Sequence, residues 1–349
     1  MSHARRRHGK MPLVDVERQA PVVGVDVGGT KIAAAFVEGA EPRLRVEHPT
    51  ALESSDAVID GIKSAAREVI EQSGATPAAV GVGVPSQIEF ASGRVLASVN
   101  IPLAGVELAR ELSARLGVPV IVDNDANAAA LAEAMHVEGG PARHLVMFTL
   151  GTGVGGGVVI DGRCFRGATG IGAELGHQVV QYDGPPCPGT CPNRGCLEAL
   201  CSGTALERDA AAVARDFPDS PLGRAVAKGG ELRGHDVVAA ADAGDPHALD
   251  LFERLGMFLG VGIANAINVF EPEHVVVGGG LSRASRFFLD RAVREARERA
   301  LPTLAERVRI SPARAGPDAG LIGAGLLALQ EAGGAKRDTA GAMPTEGLR

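Results

Sequence analysis

The sequence predicts a soluble α/β protein built from two related domains that face each other. Strand-like and helix-like segments alternate from residue 21 to residue 333. A strand, a Gly/Thr turn and a second strand occur in VVGVDVGGTKIAAAFVEG (22–39) and return in HLVMFTLGTGVGGGVVIDG (144–162). The 349 residues, 45% of them hydrophobic, supply the core of one large or two medium domains. Independent use of the same hairpin chemistry is the other explanation of the repeat.

The elements follow in order. PVVGVDV (21–27) and KIAAAFVEG (31–39) read as two strands around a glycine turn, and LRVEHPT (44–50) as a third. Residues 54–73 have helical spacing, with Ile59, Ile62, Ala66 and Ile70 on one face. AVGVGVP (79–85) is a buried strand; a helix near 105–116 leads into VPVIVDN (118–124) and then an alanine-rich helix. After the second hairpin, residues 253–269 are helical and HVVVGGGLS (274–282) is a strand with a glycine turn. A charged amphipathic helix over 284–299 and a Gly- and Ala-rich helix over 317–334 close the chain. Residues 1–20 and 334–349 lack apolar periodicity and read as flexible tails.

Composition excludes several classes. The formal charge of −7, with basic clustering confined to ARRRH at residues 4–8, argues against a nucleic-acid surface. No apolar run reaches the roughly 18–20 residues of a membrane span, and residues 1–20 lack the apolar segment of a signal peptide, so a cytoplasmic location is expected. With no Trp and one Tyr, a small polar ligand has to be held by hydrogen bonds rather than on an aromatic platform.

Three glycine turns follow strands: DVGGTK (26–31), LGTGVGGG (150–157) and VVVGGGLS (275–282). Each alone reads as an ordinary tight turn. Together, with the hydroxyls of Thr30 and Thr152 beside glycines, they describe a nucleotide cleft in which exposed N–H groups meet phosphate oxygens. None matches GxxxxGK[ST], and GxGxxG with its following helix and acid is not present in order. In DNDAN (123–127) the polar groups stand at a strand end, where α/β sheets bind ligands. One of them suffices for an N-cap; four exceed that need, and a carboxylate there can take a proton from a substrate hydroxyl.

DVGGTK, DNDAN, LGTGVGGG, ELGH followed by a cysteine cluster ending in GCLE, and VVVGGG resemble, in this order, the ROK family (repressor, open reading frame, kinase), above all its bacterial ATP-dependent glucokinases, over residues 22–333. The resemblance implies two ribonuclease-H-like domains of the actin and hexokinase type with a cleft between them. It divides the chain into a small domain of residues 21–122 plus 315–333 and a large domain of 123–314, with a zinc loop at 177–198. It implies ATP-dependent phosphorylation of a hexose 6-hydroxyl, glucose first, with N-acetylmannosamine or fructose as alternative sugars, polyphosphate as an alternative donor, and a non-catalytic sugar-sensing regulator as the reading from another class. Asp125 matches the catalytic base, and Asn100, Asn124, Glu174, His177 and Glu198 match sugar ligands alongside it. Asp26 would stand near Mg²⁺; Gly28, Gly29, Thr30, Lys31, Gly151, Thr152 and Gly153 would meet the phosphates, and Gly278, Gly279 and Gly280 the adenosine. Two family features differ: GVPSQIE has Ser86 where many kinases have glycine, and no tryptophan follows Asn100. The family often forms dimers or tetramers.

His177, Cys187, Cys191 and Cys196 make a soft four-ligand set suited to structural, tetrahedral Zn²⁺. Such a metal would fix His177, one ring nitrogen on zinc and the other toward the sugar, and place Glu198. The family pattern CxCGxxGCxE is kept from Cys191 onward; the first pair is spaced as CPGTC. A reactive thiol pair or a loop of reduced cysteines is the alternative, and Cys164 and Cys201 read as small buried residues.

Overall fold

The computed structural model describes residues 21–38, 41–227 and 232–338. The expected tail at 1–20 lies outside the described residues, as does 339–349. Chain order is β1 (Val22–Val27), β2 (Lys31–Glu38), β3 (Glu41–Pro49), α1 (Ser55–Ser73), β4 (Val80–Val84), β5 (Ser86–Glu89), β6 (Arg94–Ser98), α2 (Leu108–Leu116), β7 (Val120–Asn124) and α3 (Asp125–His136). The second half holds β8 (Leu145–Leu150), β9 (Val154–Ile160), β10 (Arg163–Cys164), α4 (Leu197–Cys201), α5 (Gly203–Asp216), α6 (Pro221–Ala227), α7 (Gly234–Asp242), α8 (Pro246–Phe270), β11 (His274–Gly278), α9 (Leu289–Arg299), α10 (Pro302–Ala305), β12 (Arg309–Pro312) and α11 (Ala319–Asp338).

The two five-stranded sheets repeat one design. The first runs β3-β2-β1-β4-β7 and the second β10-β9-β8-β11-β12. In each, an antiparallel hairpin supplies a central strand, β1 or β8, that then pairs in parallel with the strand beyond it. The repeat read from the two hairpins therefore extends to whole sheets.

Their joint is built on absent side chains. Helix α11 crosses the first sheet so closely that a Cβ on Gly24 would lie 2.1 Å from the Leu321 carbonyl oxygen, and one on Gly81 1.8 Å from that of Ala324. On its other side a Cβ on Gly323 would lie 1.7 Å from the Ala128 oxygen of α3. Helix α3 in turn rests on β9, where a Cβ on Gly157 would lie 2.5 Å from Ala130 Cβ. The order sheet, α11, α3, sheet thus places the head of α3 between the two halves.

Some elements differ from expectation. The helix expected over 284–299 is a 3₁₀ stretch, Gly280–Phe287, followed by α9, with a break at Phe288. Phe287 and Phe288 both stack on Phe252, at 5.2 and 6.4 Å, and consecutive residues of an α-helix point about 100° apart, so the backbone changes form to bring both rings to one partner. Helix α8 begins seven residues earlier than read, at the Asp245 cap with Pro246 first, and α11 runs on to Asp338, past the boundary drawn at 334. The β5–β6 hairpin and helices α4–α7 had no sequence expectation. Among the described residues no helix is long and apolar enough to cross a membrane.

Candidate functional site

A cavity of about 540 Å³ opens where α3 begins. Its lining includes Asn100, Asn124, Asp125, Glu174 and Glu198, together with Gly151, Gly153 and Gly279 of the glycine turns. His177, Asp26, Thr152, Gly278, Gly280 and the turn residues Gly28, Gly29, Thr30 and Lys31 do not line it.

The four polar groups of DNDAN divide the work. Asn124 is the N-cap: its Oδ1 accepts from the Ala126 and Asn127 N–H groups at 2.9 and 3.3 Å, and its Nδ2 donates to the Ser86 carbonyl at 3.3 Å. Asp123 is buried and accepts from Asn124 N at 2.8 Å and Asn127 Nδ2 at 3.0 Å. Asp125 is left for the cavity, with Oδ1 accepting Ala126 N–H at 2.9 Å. Burial pushes the Asp125 carboxyl above its ordinary range; backbone N–H groups at the helix start oppose this, and the nearby Glu174 charge adds to it. Glu174 is itself raised, first by burial, with the Glu198 charge adding to the rise and the Gln87 side chain of β5 opposing it. Gln87, which sequence reasoning missed, lines the same cavity beside a β-bulge between Gln87 and Ile88, the kind of irregularity that re-aims a side chain. Ala173, just before Glu174, has φ 66°.

Glu198 is built into the second turn. Its Oε2 accepts the Val154 N–H at 2.9 Å, and a Cβ on Gly153 would lie 2.3 Å from that oxygen. The turn is also held by the start of α5: Gly203 N–H donates to Gly151 O at 2.7 Å and Thr204 Oγ1 to Thr152 O at 2.9 Å. Gly155, Gly156 and Gly157, read as part of this turn, belong to β9 and serve close packing against Thr149, Leu175 and α3.

The first turn closes through Gly28 N–H to Lys31 O at 2.8 Å, and Thr50 Oγ1 straps it by donating to Gly28 O at 2.7 Å. Lys31 pairs with Glu47 at 2.8 Å. Neither Gly28 nor Gly29 of this turn adopts positive φ. Gly29, Gly151 and Gly280, one per turn, combine ordinary φ with no heavy atom within 4 Å of a would-be Cβ, and among the described glycines no others do.

Asp26 ends β1. Burial raises its carboxyl to about 6, with Asp125 and Asp318 adding to the rise and Lys31 and Arg45 opposing it. The native state therefore binds this proton more tightly than the unfolded chain, so stability is lost as pH rises from about 4 through about 6. Asp26→Asn is expected to stabilise the ligand-free protein at pH 7.5 by up to about 3 kcal/mol, with the advantage fading toward pH 4; thermal melts at both pH values check this.

His177, Cys187, Cys191 and Cys196 converge, their donor atoms all within 4.8 Å of one another. His177 Nδ1 is 3.4 Å from Cys187 Sγ, and Cys191 Sγ is 3.9 Å from Cys196 Sγ. Bonds of about 2.0–2.3 Å to a tetrahedral ion give donor separations of roughly 3.3–3.8 Å, so the set fits such an ion, Cys187 included despite its spacing. Cys164 and Cys201 are buried apart from this cluster, and burial pushes the Cys164 thiol up to about 12.

The profile of the ROK family matches residues 22–331. The chain belongs to the ROK family. This ROK protein is 38% identical over 315 residues to a glucokinase of Halalkalibacterium halodurans, the match covering 88% of this chain and 95% of that one. Its fold matches the ROK hexokinase of Thermus thermophilus with a TM-score of 0.79 at 34% identity, covering 90% and 99% of the two chains. It also matches a Streptomyces griseus ROK glucokinase solved with glucose and AMPPNP, with a TM-score of 0.74 at 34% identity and coverage of 89% and 99%. The two-domain actin and hexokinase architecture expected from the sequence is thus the fold of this ROK protein.

Proposed function

We propose that this ROK protein is an ATP-dependent hexose kinase that phosphorylates the 6-hydroxyl of glucose. The observation that carries the reading is the trio Gly29, Gly151 and Gly280: three turns each keep a glycine that neither backbone conformation nor neighbouring atoms require. What such a residue leaves open is access to main-chain N–H groups, which is what phosphate oxygens need.

The bodies that close on the substrates are residues 21–122 with 315–333, and residues 123–314. Gly28, Gly29, Thr30 and Lys31 meet the β- and γ-phosphates, Gly151, Thr152 and Gly153 meet them from the other side, and Gly278, Gly279 and Gly280 lie along the adenosine. Mg²⁺ supplies neutralisation of phosphate charge when bound. Asp26, whose carboxyl is pushed up by burial and by the Asp125 charge, would stand near the ion. Asn100, Asn124, Glu174 and Glu198 hydrogen-bond the sugar hydroxyls. Asp125 orients the 6-hydroxyl and accepts its proton late, since the phosphoryl transition state is loose. A structural Zn²⁺ on His177, Cys187, Cys191 and Cys196 ties the 177–198 segment together. With Nδ1 toward the cysteines, Nε2 of His177 is left for the sugar once the cleft has closed. A thiolate-built metal centre and an ATP donor both suit a reducing compartment, so we read the enzyme as cytoplasmic, working as a dimer or tetramer.

The test is a coupled ADP-release assay with Mg-ATP across glucose, mannose, fructose, N-acetylglucosamine and N-acetylmannosamine. Glucose-dependent release supports the reading; release with another sugar alone corrects the substrate, and none at all overturns the kinase. Gly29→Ala separates fold from function in the same preparation. The variant is expected to melt at or slightly above the wild-type temperature, because alanine restricts the unfolded chain by about 0.4–1 kcal/mol. Its KM for ATP is expected to rise about ten-fold or more, and an unchanged KM removes Gly29 from the phosphate site.

A further inference from the structure

Arg166 takes no part in the turns or the cysteine cluster, yet its side chain is only 10% exposed and its Nε donates to Oδ2 of Asp123, itself 1% exposed, at 2.7 Å. Its Nη1 donates to the Cys164 carbonyl at 3.2 Å, and the guanidinium lies 3.7 Å from the centroid of the Phe90 ring. A buried ion pair is a poor source of stability, because desolvation offsets most of the attraction. Its surroundings give it another use.

Asp123 is the penultimate residue of β7, and its second oxygen holds the Asn124 N–H and the Asn127 side chain, which bracket Asp125. Arg166 begins the segment that runs to Ala173 and Glu174. That segment lies on the β5–β6 hairpin of the other half: Phe90 N–H donates to Thr169 O at 3.1 Å, and a Cβ on Gly170, whose φ is 118°, would lie 2.5 Å from the Ile88 oxygen. One guanidinium therefore joins the strand that delivers Asp125, the segment that delivers Glu174 and the hairpin that delivers Gln87.

We propose that Arg166 is a positioning residue, whose pair with Asp123 sets Asp125 against Glu174 across the sugar cavity. The inference rests on the kinase reading above. It is tested with Arg166→Met, Asp123→Asn and the double variant, by thermal melts, sugar affinity from calorimetry, kcat and the KM for ATP. Arg166→Met alone is expected to lower Tm by about 10 °C, since it leaves the Asp123 carboxylate buried without its partner. The double variant removes both charges and is expected to regain most of that loss. A pair that only stabilises the fold would return kcat and sugar affinity together with Tm, and that result overturns the proposal. Positioning predicts that kcat and sugar affinity stay about ten-fold or more below wild type while the KM for ATP stays within about two-fold. If the wild type releases no sugar-dependent ADP, the kinase reading falls separately and sugar affinity decides: a ten-fold loss in the double variant supports the proposal and wild-type affinity overturns it. A wild type that binds none of the sugars overturns both.

Discussion

Asp125→Asn is expected to lower kcat by about 10²–10⁴-fold while leaving sugar affinity within about three-fold of wild type. The asparagine keeps the shape of the side chain and the acceptor that meets Ala126 N–H at 2.9 Å, and the cap itself belongs to Asn124, so the head of α3 stays folded. What disappears is the only group in DNDAN that neither caps nor braces and can still accept a proton. Burial and the Glu174 charge already push the Asp125 carboxyl upward, so it is a better proton acceptor than a solvated aspartate. Single-turnover rates with saturating ATP, set beside calorimetric sugar affinity, check the split. Near-normal turnover would remove Asp125 as the base.

Cys196→Ser is expected to release the metal and raise the KM for sugar by about 10–100-fold, with the KM for ATP little changed. Cys196 is fully buried and lies at the junction of the cluster with the cavity: it is the N-cap of α4, Glu198 stands two residues on, and Leu197 N–H donates to the Gln178 carbonyl at 2.9 Å. Serine leaves a weak ligand in place of a sulfur that stands 3.4 Å from the His177 carbonyl oxygen and 3.9 Å from Cys191 Sγ. Loss of the ion frees both the 187–196 segment and the turn holding His177. Elemental analysis by mass spectrometry reads the metal directly; a wild-type protein without zinc, or a Cys196→Ser variant with unaltered sugar KM, would sink this assignment.

The parts of the molecule legible in the sequence are those whose signal is local. Valine-rich apolar runs mark β1, β4 and β11 because the strands are buried on both faces, and the strand-turn-strand hairpins mark the heart of each sheet. The cysteine cluster was legible as chemistry, since four soft donors within 20 residues of one another have few other uses. The glycines were legible as turns but not in their packing roles. Those of DVGGTK do not adopt positive φ, and Gly155, Gly156 and Gly157 are small because a helix and a turn pass over them, a fact that depends on residues far along the chain. Gln87 and Arg166 were invisible for the same reason: Arg166 meets Asp123 across 43 positions, and Gln87 shares a cavity with Glu174 only after the two halves come together. Helices α4, α6 and α7 have five, seven and nine residues, too short for a helical period to stand out.

The place of α11 also sets an order of assembly during synthesis. Val22, Ala33, Ala35 and Val37 on the first sheet share one buried cluster with Leu321, Ile322, Leu326 and Leu327. A ribosome therefore releases that sheet with one apolar face uncovered, and the face stays bare until nearly the whole chain has emerged. The C-terminal half has its own helices at hand, so it can finish folding before the N-terminal half that preceded it. Chains cut short before residue 319 would carry a complete second sheet and an open, adhesive first one, which makes the last helix the step that commits a newly made molecule to the native state rather than to aggregation.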